Sequence, residues 1–158
     1  MSEYQALIAD DAQMRAFGAK LLAACKSGGI ITLHGNLGTG KTTLVRGALQ
    51  SLGVTSGVRS PTYTLIEFYP FDPLSIAHFD LYRLAEPEEL EFLGFRDYLT
   101  DNTLCMIEWP EKAEGILGDV GLEIFLNYDP EGRRLKLIGK SAWGHGIVDR
   151  LVDGGRKM

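Results

Sequence analysis

One segment constrains this chain more than any other: Gly35-Asn36-Leu37-Gly38-Thr39-Gly40-Lys41-Thr42-Thr43. It fits G-x-x-x-x-G-K-[ST] at every fixed position. Chance would produce such a match in about 1% of chains this long at average residue frequencies. Its flanks narrow the meaning further. The run IITLH before it is β-branched, apolar and bounded by glycines, which reads as a buried strand. The run KTTLVRGALQ after it reads as a helix that Gly53 stops. A strand, a glycine-rich turn and a helix in this order bring successive backbone N–H groups and the positive end of a helix to one point. That point suits phosphate. Lys41 is expected to reach the β- and γ-phosphates of a nucleotide, and Thr42 to offer its hydroxyl to Mg²⁺. Residues 35–43 together form the expected phosphate cradle.

The rest of the chain supplies a frame for that loop. Asp11 to Lys26 carries Met14, Phe17, Leu21, Leu22 and Cys25 at helical spacing, with Asp10 or Asp11 as N-cap and Gly28-Gly29 as the stop. TLIEFY and SIAHF read as short strands, PEELEFLGFRDYL as a helix with Pro87 in its first turn, and TLCMIEW as a buried strand. GLEIFLNYDPEGRRLKLIG reads as a hairpin turning at Asp129-Pro130-Glu131-Gly132, and a short helix from about Ala142 to Val152 closes the chain. Interleaved strands and helices predict the α/β class. The expected architecture is a single P-loop NTPase-like domain over residues 1–158, with a central β-sheet flanked by helices and made mixed by the hairpins.

Composition excludes several functions. The chain has 158 residues, 16 Lys and Arg against 21 Asp and Glu, and a formal net charge of −5. Affinity for nucleic acid comes mainly from basic side chains on phosphates, so an acidic chain is a poor general RNA binder. Two cysteines, Cys25 and Cys105, sit in apolar stretches and read as buried free thiols of a reducing compartment. No apolar run nears the roughly 20 residues a membrane span needs, and the acidic N-terminus is no signal peptide. The expected location is cytoplasmic, with no membrane partner.

Two acids end apolar runs, where strands would deliver them to the carboxyl edge of the sheet: Asp80 after Ile76-Ala77-His78-Phe79, and Glu108 after Leu104-Cys105-Met106-Ile107. A phosphate-loop enzyme needs such acids for Mg²⁺ or its water. Glu108 is assigned to Mg²⁺ and Asp80 to the attacking water or a second Mg²⁺ contact, with the two roles open to exchange. Ser60-Pro61-Thr62-Tyr63-Thr64 is either a switch segment carrying hydroxyls toward the γ-phosphate or an ordinary turn. Arg59 and Arg83 are candidate stabilisers of phosphate charge or solvated surface residues. His34 and His78 read as packed strand residues. Trp109 is either core or a wall of the nucleotide pocket.

In their order and spacing, GNLGTGKTT, SPTYTL, HFDLYRL, PEELEFLGFRDYL and MIEWPEK closely resemble the bacterial TsaE (YjeE) family. The resemblance spans roughly Gly29 to Lys112. Asn36 stands where the family usually has Asp, and Thr39 where Ala is common; the C-terminal third shows little family signature. The resemblance implies an ATPase, weak alone and stimulated by partners, in the machinery for threonylcarbamoyladenosine in tRNA. It implies ATP and Mg²⁺ as cofactors and the TsaB and TsaD proteins as partners. TsaD would perform the transfer to adenosine in tRNAs that read codons beginning with A, and tRNA would be met only indirectly. It also implies that Thr42 and Glu108 serve Mg²⁺, that Asp80 is needed for hydrolysis alongside Lys41 and Glu108, and that Trp109 lies near the nucleotide. A small-molecule P-loop kinase is the alternative, but only Arg83 and Arg96 lie between Asp80 and Glu108, too few for an arginine-rich lid. A GTPase lacks its N-K-x-D segment here. A nucleotide-gated module with negligible turnover would share every phosphate-site residue.

Overall fold

The computed structural model describes residues 2–54, 61 and 63–156. Its centre is a seven-stranded sheet ordered β1-β7-β6-β2-β5-β4-β3. The strands are β1 (Glu3–Ile8), β2 (Gly29–His34), β3 (Ile66–Tyr69), β4 (Ser75–Asp80), β5 (Thr103–Glu108), β6 (Leu122–Asp129) and β7 (Gly132–Gly139). The four central strands β6, β2, β5 and β4 run parallel, while β3, β7 and β1 pair antiparallel at the two sides. The mixed α/β sheet expected from the hairpins is therefore present. The helices are α1 (Asp11–Ala24), α2 (Lys41–Ser51), α3 (Glu88–Phe92) and α4 (Ala142–Arg156).

Alternation along the strands makes two cores. Ile31, Leu33, Ile76, Leu104 and Met106 join Leu21, Leu44 and Leu49 of α1 and α2 on one face. Ala77, Phe79, Cys105 and Ile107 join Leu90, Phe95 and Leu117 on the other. Side chains of successive strand residues point to opposite faces, so strands covered on both sides must be apolar at every position. That is why β5 is buried from Thr103 to Glu108.

Two glycines set the approach of α1 to α2. A Cβ on Gly18 would lie 2.0 Å from the Leu44 carbonyl oxygen, and one on Gly47 would lie 2.1 Å from that of Arg15. Each helix thus offers the other a bare backbone, and α2 is locked against α1 with the phosphate loop at its N-terminus. Asp10 caps α1, accepting from the Gln13 N–H at 2.9 Å.

The structure departs from the sequence reading at several elements, and α1 stops at Ala24, short of the expected Lys26. β1 was not anticipated: EYQALI is a half-exposed edge strand whose partner, β7, lies over a hundred residues away in sequence. PEELEFLGFRDYL is not one helix, because Gly94 takes the left-handed conformation at φ 71° and ends α3; Phe95–Tyr98 continues as a separate 3₁₀ turn. The strand read at TLIEFY begins only at Ile66, after Leu65 at φ 69°. The last helix runs to Arg156, beyond Val152. Arg59, a candidate for phosphate charge, and Ser60 and Thr62 of the candidate switch segment lie outside the described residues.

Candidate nucleotide site

The parallel register brings the two predicted acids together. Asp80 pairs with Glu108 across β4 and β5, and Glu108 pairs with Leu33 across β5 and β2. Both carboxylates therefore finish their strands at the level where β2 releases the chain into Gly35–Gly40. Asp80 and Glu108 are buried, at 4% and 3% exposure. The Asp80 carboxylate also accepts the Tyr82 N–H at 3.1 Å.

The loop itself is tied from several sides. Thr39 donates its hydroxyl to the Asn36 carbonyl at 2.8 Å and is buried. Gly40, at φ 107°, precedes α2, and a Cβ there would lie 2.9 Å from Met14 Cε. The exposed tip is held by the hairpin: the Tyr128 hydroxyl donates to the Leu37 carbonyl, and Arg133 Nη2 donates to that of Gly38 at 3.2 Å. The Arg133 guanidinium lies 4.7 Å from the Tyr128 ring centre. The N–H groups of Lys41, Thr42 and Thr43 belong to the first helical turn and so have no acceptor within α2.

Lys41 and Thr42 face inward. Lys41 Nζ donates to the Gly35 carbonyl at 2.6 Å and sits 3.6 Å above the centre of the Trp109 ring. Burial pushes its ammonium below the ordinary lysine range, opposed by the nearby carboxylates of Glu108, Glu111 and Asp80. Trp109 takes a left-handed conformation at φ 59° directly after β5, which turns its ring toward the loop. It therefore walls the pocket, with Tyr82 5.0 Å away centre to centre. The Thr42 hydroxyl donates to Glu108, 2.9 Å from Oε2 and 3.2 Å from Oε1. The donor set of one hydroxyl and two carboxylates is hard oxygen, the chemistry Mg²⁺ selects and thiolate-seeking metals do not.

A cavity of about 510 Å³ opens over these groups. Leu37–Thr43 form its floor. Asp80, Tyr82, Arg83, Glu108 and Trp109 form one wall, and Ile8, Asp10, Asp11, Met14, Gly132 and Arg133 the other. Gly35 and Asn36 lie behind the floor, bonded to Lys41 and Thr39. Every loop residue singled out from the sequence thus belongs to one constellation. The second wall was not foreseen. Its residues come from the β1–α1 junction and the β6–β7 turn, and no spacing rule ties either to the phosphate loop. Arg83 lines the cavity with its guanidinium 4.6 Å from the Tyr63 ring. His34, the last residue of β2, is half-buried and stacks on Phe125, 4.5 Å centre to centre. His78 is packed too, but it also touches Glu108, 2.6 Å from Nε2 to Oε2, a contact the sequence reading missed.

A strand feeding a glycine-rich loop into a helix, with acids ending the neighbouring parallel strands, defines a P-loop NTPase-like protein. The profile of the family described as threonylcarbamoyl adenosine biosynthesis protein TsaE matches residues 8–135. The tRNA threonylcarbamoyladenosine biosynthesis protein TsaE of Haemophilus influenzae is 44% identical over 146 residues, covering 89% of this chain and 92% of that one. Its counterpart in Bacillus subtilis is 40% identical over 109 residues, covering 68% of each. The crystal structure of Bacillus subtilis YdiB superposes with a TM-score of 0.76 at 26% identity, covering 97% of this chain and 95% of that one. The chain belongs to the TsaE family of threonylcarbamoyladenosine biosynthesis proteins. The match runs past Lys112 into the C-terminal third, where the sequence alone showed little signature.

Proposed function

We propose that this chain is a single-domain P-loop ATPase that binds ATP with Mg²⁺ and hydrolyses it in support of tRNA threonylcarbamoylation. It works in the cytoplasm with the TsaB and TsaD proteins and meets tRNA through them. The observation that carries this reading is the half-buried Thr42–Glu108 hydrogen bond, with Asp80 in register beside Glu108 and Lys41 at the base of the same cavity. Among the described residues no helix is long and apolar enough to cross a membrane.

The chain's residues divide the work. The first-turn N–H groups of α2 donate to the phosphate oxygens, with the helix dipole behind them. Lys41 exchanges the Gly35 carbonyl for the β- and γ-phosphate oxygens. Thr42 and Glu108 would hold Mg²⁺, and the chemistry the ion would supply there is neutralisation of phosphate charge. Asp80 orients a water for attack on the γ-phosphorus. The new P–O bond forms as the bond to the ADP oxygen breaks, giving ADP and inorganic phosphate. Trp109 and Tyr82 close one side and limit stray water. The net charge of −5 favours action through protein partners over direct tRNA binding.

The test is phosphate release and modified adenosine formed per enzyme over many turnovers, with TsaB, TsaD and tRNA, in the presence and absence of this chain. Wild type is expected to release phosphate without an added small-molecule acceptor and to sustain multiple turnovers. Phosphate transfer only to an added acceptor, with tRNA modification unchanged when the chain is omitted, overturns the reading in favour of a kinase.

A further inference from the structure

His78 lies opposite Met106, two rungs before the Asp80–Glu108 pair and so on the same face of the sheet as that pair. On this face of the sheet Ile76, Leu104 and Met106 beside it are apolar, Glu67 is its partner on β3, and Asp80 and Glu108 follow two residues further along β4 and β5. His78 is fully buried, and an apolar residue would fill the position without desolvating two ring nitrogens. What it gains is Glu108: Nε2 stands 2.6 Å from Oε2. An ionised carboxylate only accepts, so Nε2 carries the hydrogen. Nδ1 is buried with no hydrogen-bond partner among the described residues. The ring is thus committed to one contact, and that contact is with the carboxylate that also receives the Thr42 hydroxyl.

We propose that His78 is a positioning residue for Glu108, fixing the carboxylate so that it presents to the metal subsite together with Thr42. The role rests on the nucleotide and Mg²⁺ reading above. It requires only an N–H at Nε2 directed at the carboxylate. Thr42 cannot perform it alone, because its hydroxyl oxygen is itself wanted by the cation. His78 approaches Glu108 from within the sheet and leaves that hydroxyl free for its own task. Partners that orient a metal-binding side chain in this way commonly matter about 10–100-fold in metal affinity.

The experiment measures binding of a fluorescent ATP analogue to the full chain as free Mg²⁺ is varied, with EDTA as the metal-free reference. His78→Leu removes the donor at similar volume. His78→Gln keeps an N–H near the Nε2 position. If the leucine variant does not fold, His78→Asn, too short to reach Glu108, takes its place. The expected result is a rise of about 10-fold or more in the Mg²⁺ needed for half-maximal binding by His78→Leu. Affinity in EDTA should stay within about twofold of wild type, and His78→Gln should fall near wild type. In a Glu108→Gln background, His78→Leu should add no further loss. An unchanged Mg²⁺ requirement, an equal loss in EDTA, or a full effect persisting in the Glu108→Gln background each overturns the positioning role. If wild type itself shows no Mg²⁺-assisted nucleotide binding, the proposed function fails, which is a separate outcome from a wild type that binds and a His78→Leu variant that matches it.

Discussion

Replacing Lys41 with methionine keeps most of the side-chain volume at a buried position and removes only the ammonium. In this structure the ammonium already has two partners, the Gly35 carbonyl at 2.6 Å and the Trp109 ring at 3.6 Å. Nucleotide binding is therefore an exchange and not a capture from water. A hydrogen bond to a charged group contributes about 1.5–3 kcal/mol, and the contact to a ring face about 0.5–2 kcal/mol. Phosphate carries full charge where the carbonyl carries a dipole, so the exchange favours the nucleotide. A net loss of about 2 kcal/mol in the variant corresponds to about 30-fold weaker ATP binding. Stability should change little, since leaving the Gly35 carbonyl without its donor is offset by no longer burying a cation. Displacement of a fluorescent ATP analogue gives the affinity, and thermal unfolding without nucleotide gives the control. An affinity within about threefold of wild type, in a variant that melts normally, would refute the reasoning, because the ammonium would then not be a phosphate ligand.

The remaining predictions concern the carboxylates and the thiols. Thr42→Ala and Glu108→Gln should each raise the Mg²⁺ needed for binding, and because their side chains are bonded to each other the double variant should lose little more than the worse single; additive losses would show that the two act separately. Asp80→Asn should retain ATP affinity within about threefold while partner-stimulated phosphate release falls by about tenfold or more, and the reverse pattern would exchange the roles of Asp80 and Glu108. Burial pushes both thiols up to about 12, opposed at Cys25 by Arg150 and Lys26. Neither should react with a thiol reagent at pH 8 until the chain is unfolded, and rapid native labelling would contradict the packing. A folded-state pKa above the unfolded value of about 9 favours the protonated fold; the stability linked to these groups is fully present below about pH 9 and is lost as pH rises toward 12.

What the sequence determined by itself was local. A phosphate loop is written in consecutive residues, because its glycines, Lys41 and Thr42 act through backbone and side chains within one turn of chain. The strands carrying Asp80 and Glu108 were equally legible, since strands buried on both faces must be apolar throughout and an acid at their end stands out. Tertiary structure decided everything that depends on pairing between distant segments. β1 exists because β7 supplies its ladder, and a half-exposed edge strand leaves only a faint pattern in EYQALI. The tether from Tyr128 and Arg133 to Leu37 and Gly38, and the wall built by Asp10, Met14 and Arg133, join residues with no sequence proximity. His78 reads as one more packed strand residue until the β4–β5 register is known; only that register turns its Nε2 toward Glu108. A period-2 pattern names the face a side chain takes, and the neighbour it meets on that face is set by the order and offset of the strands.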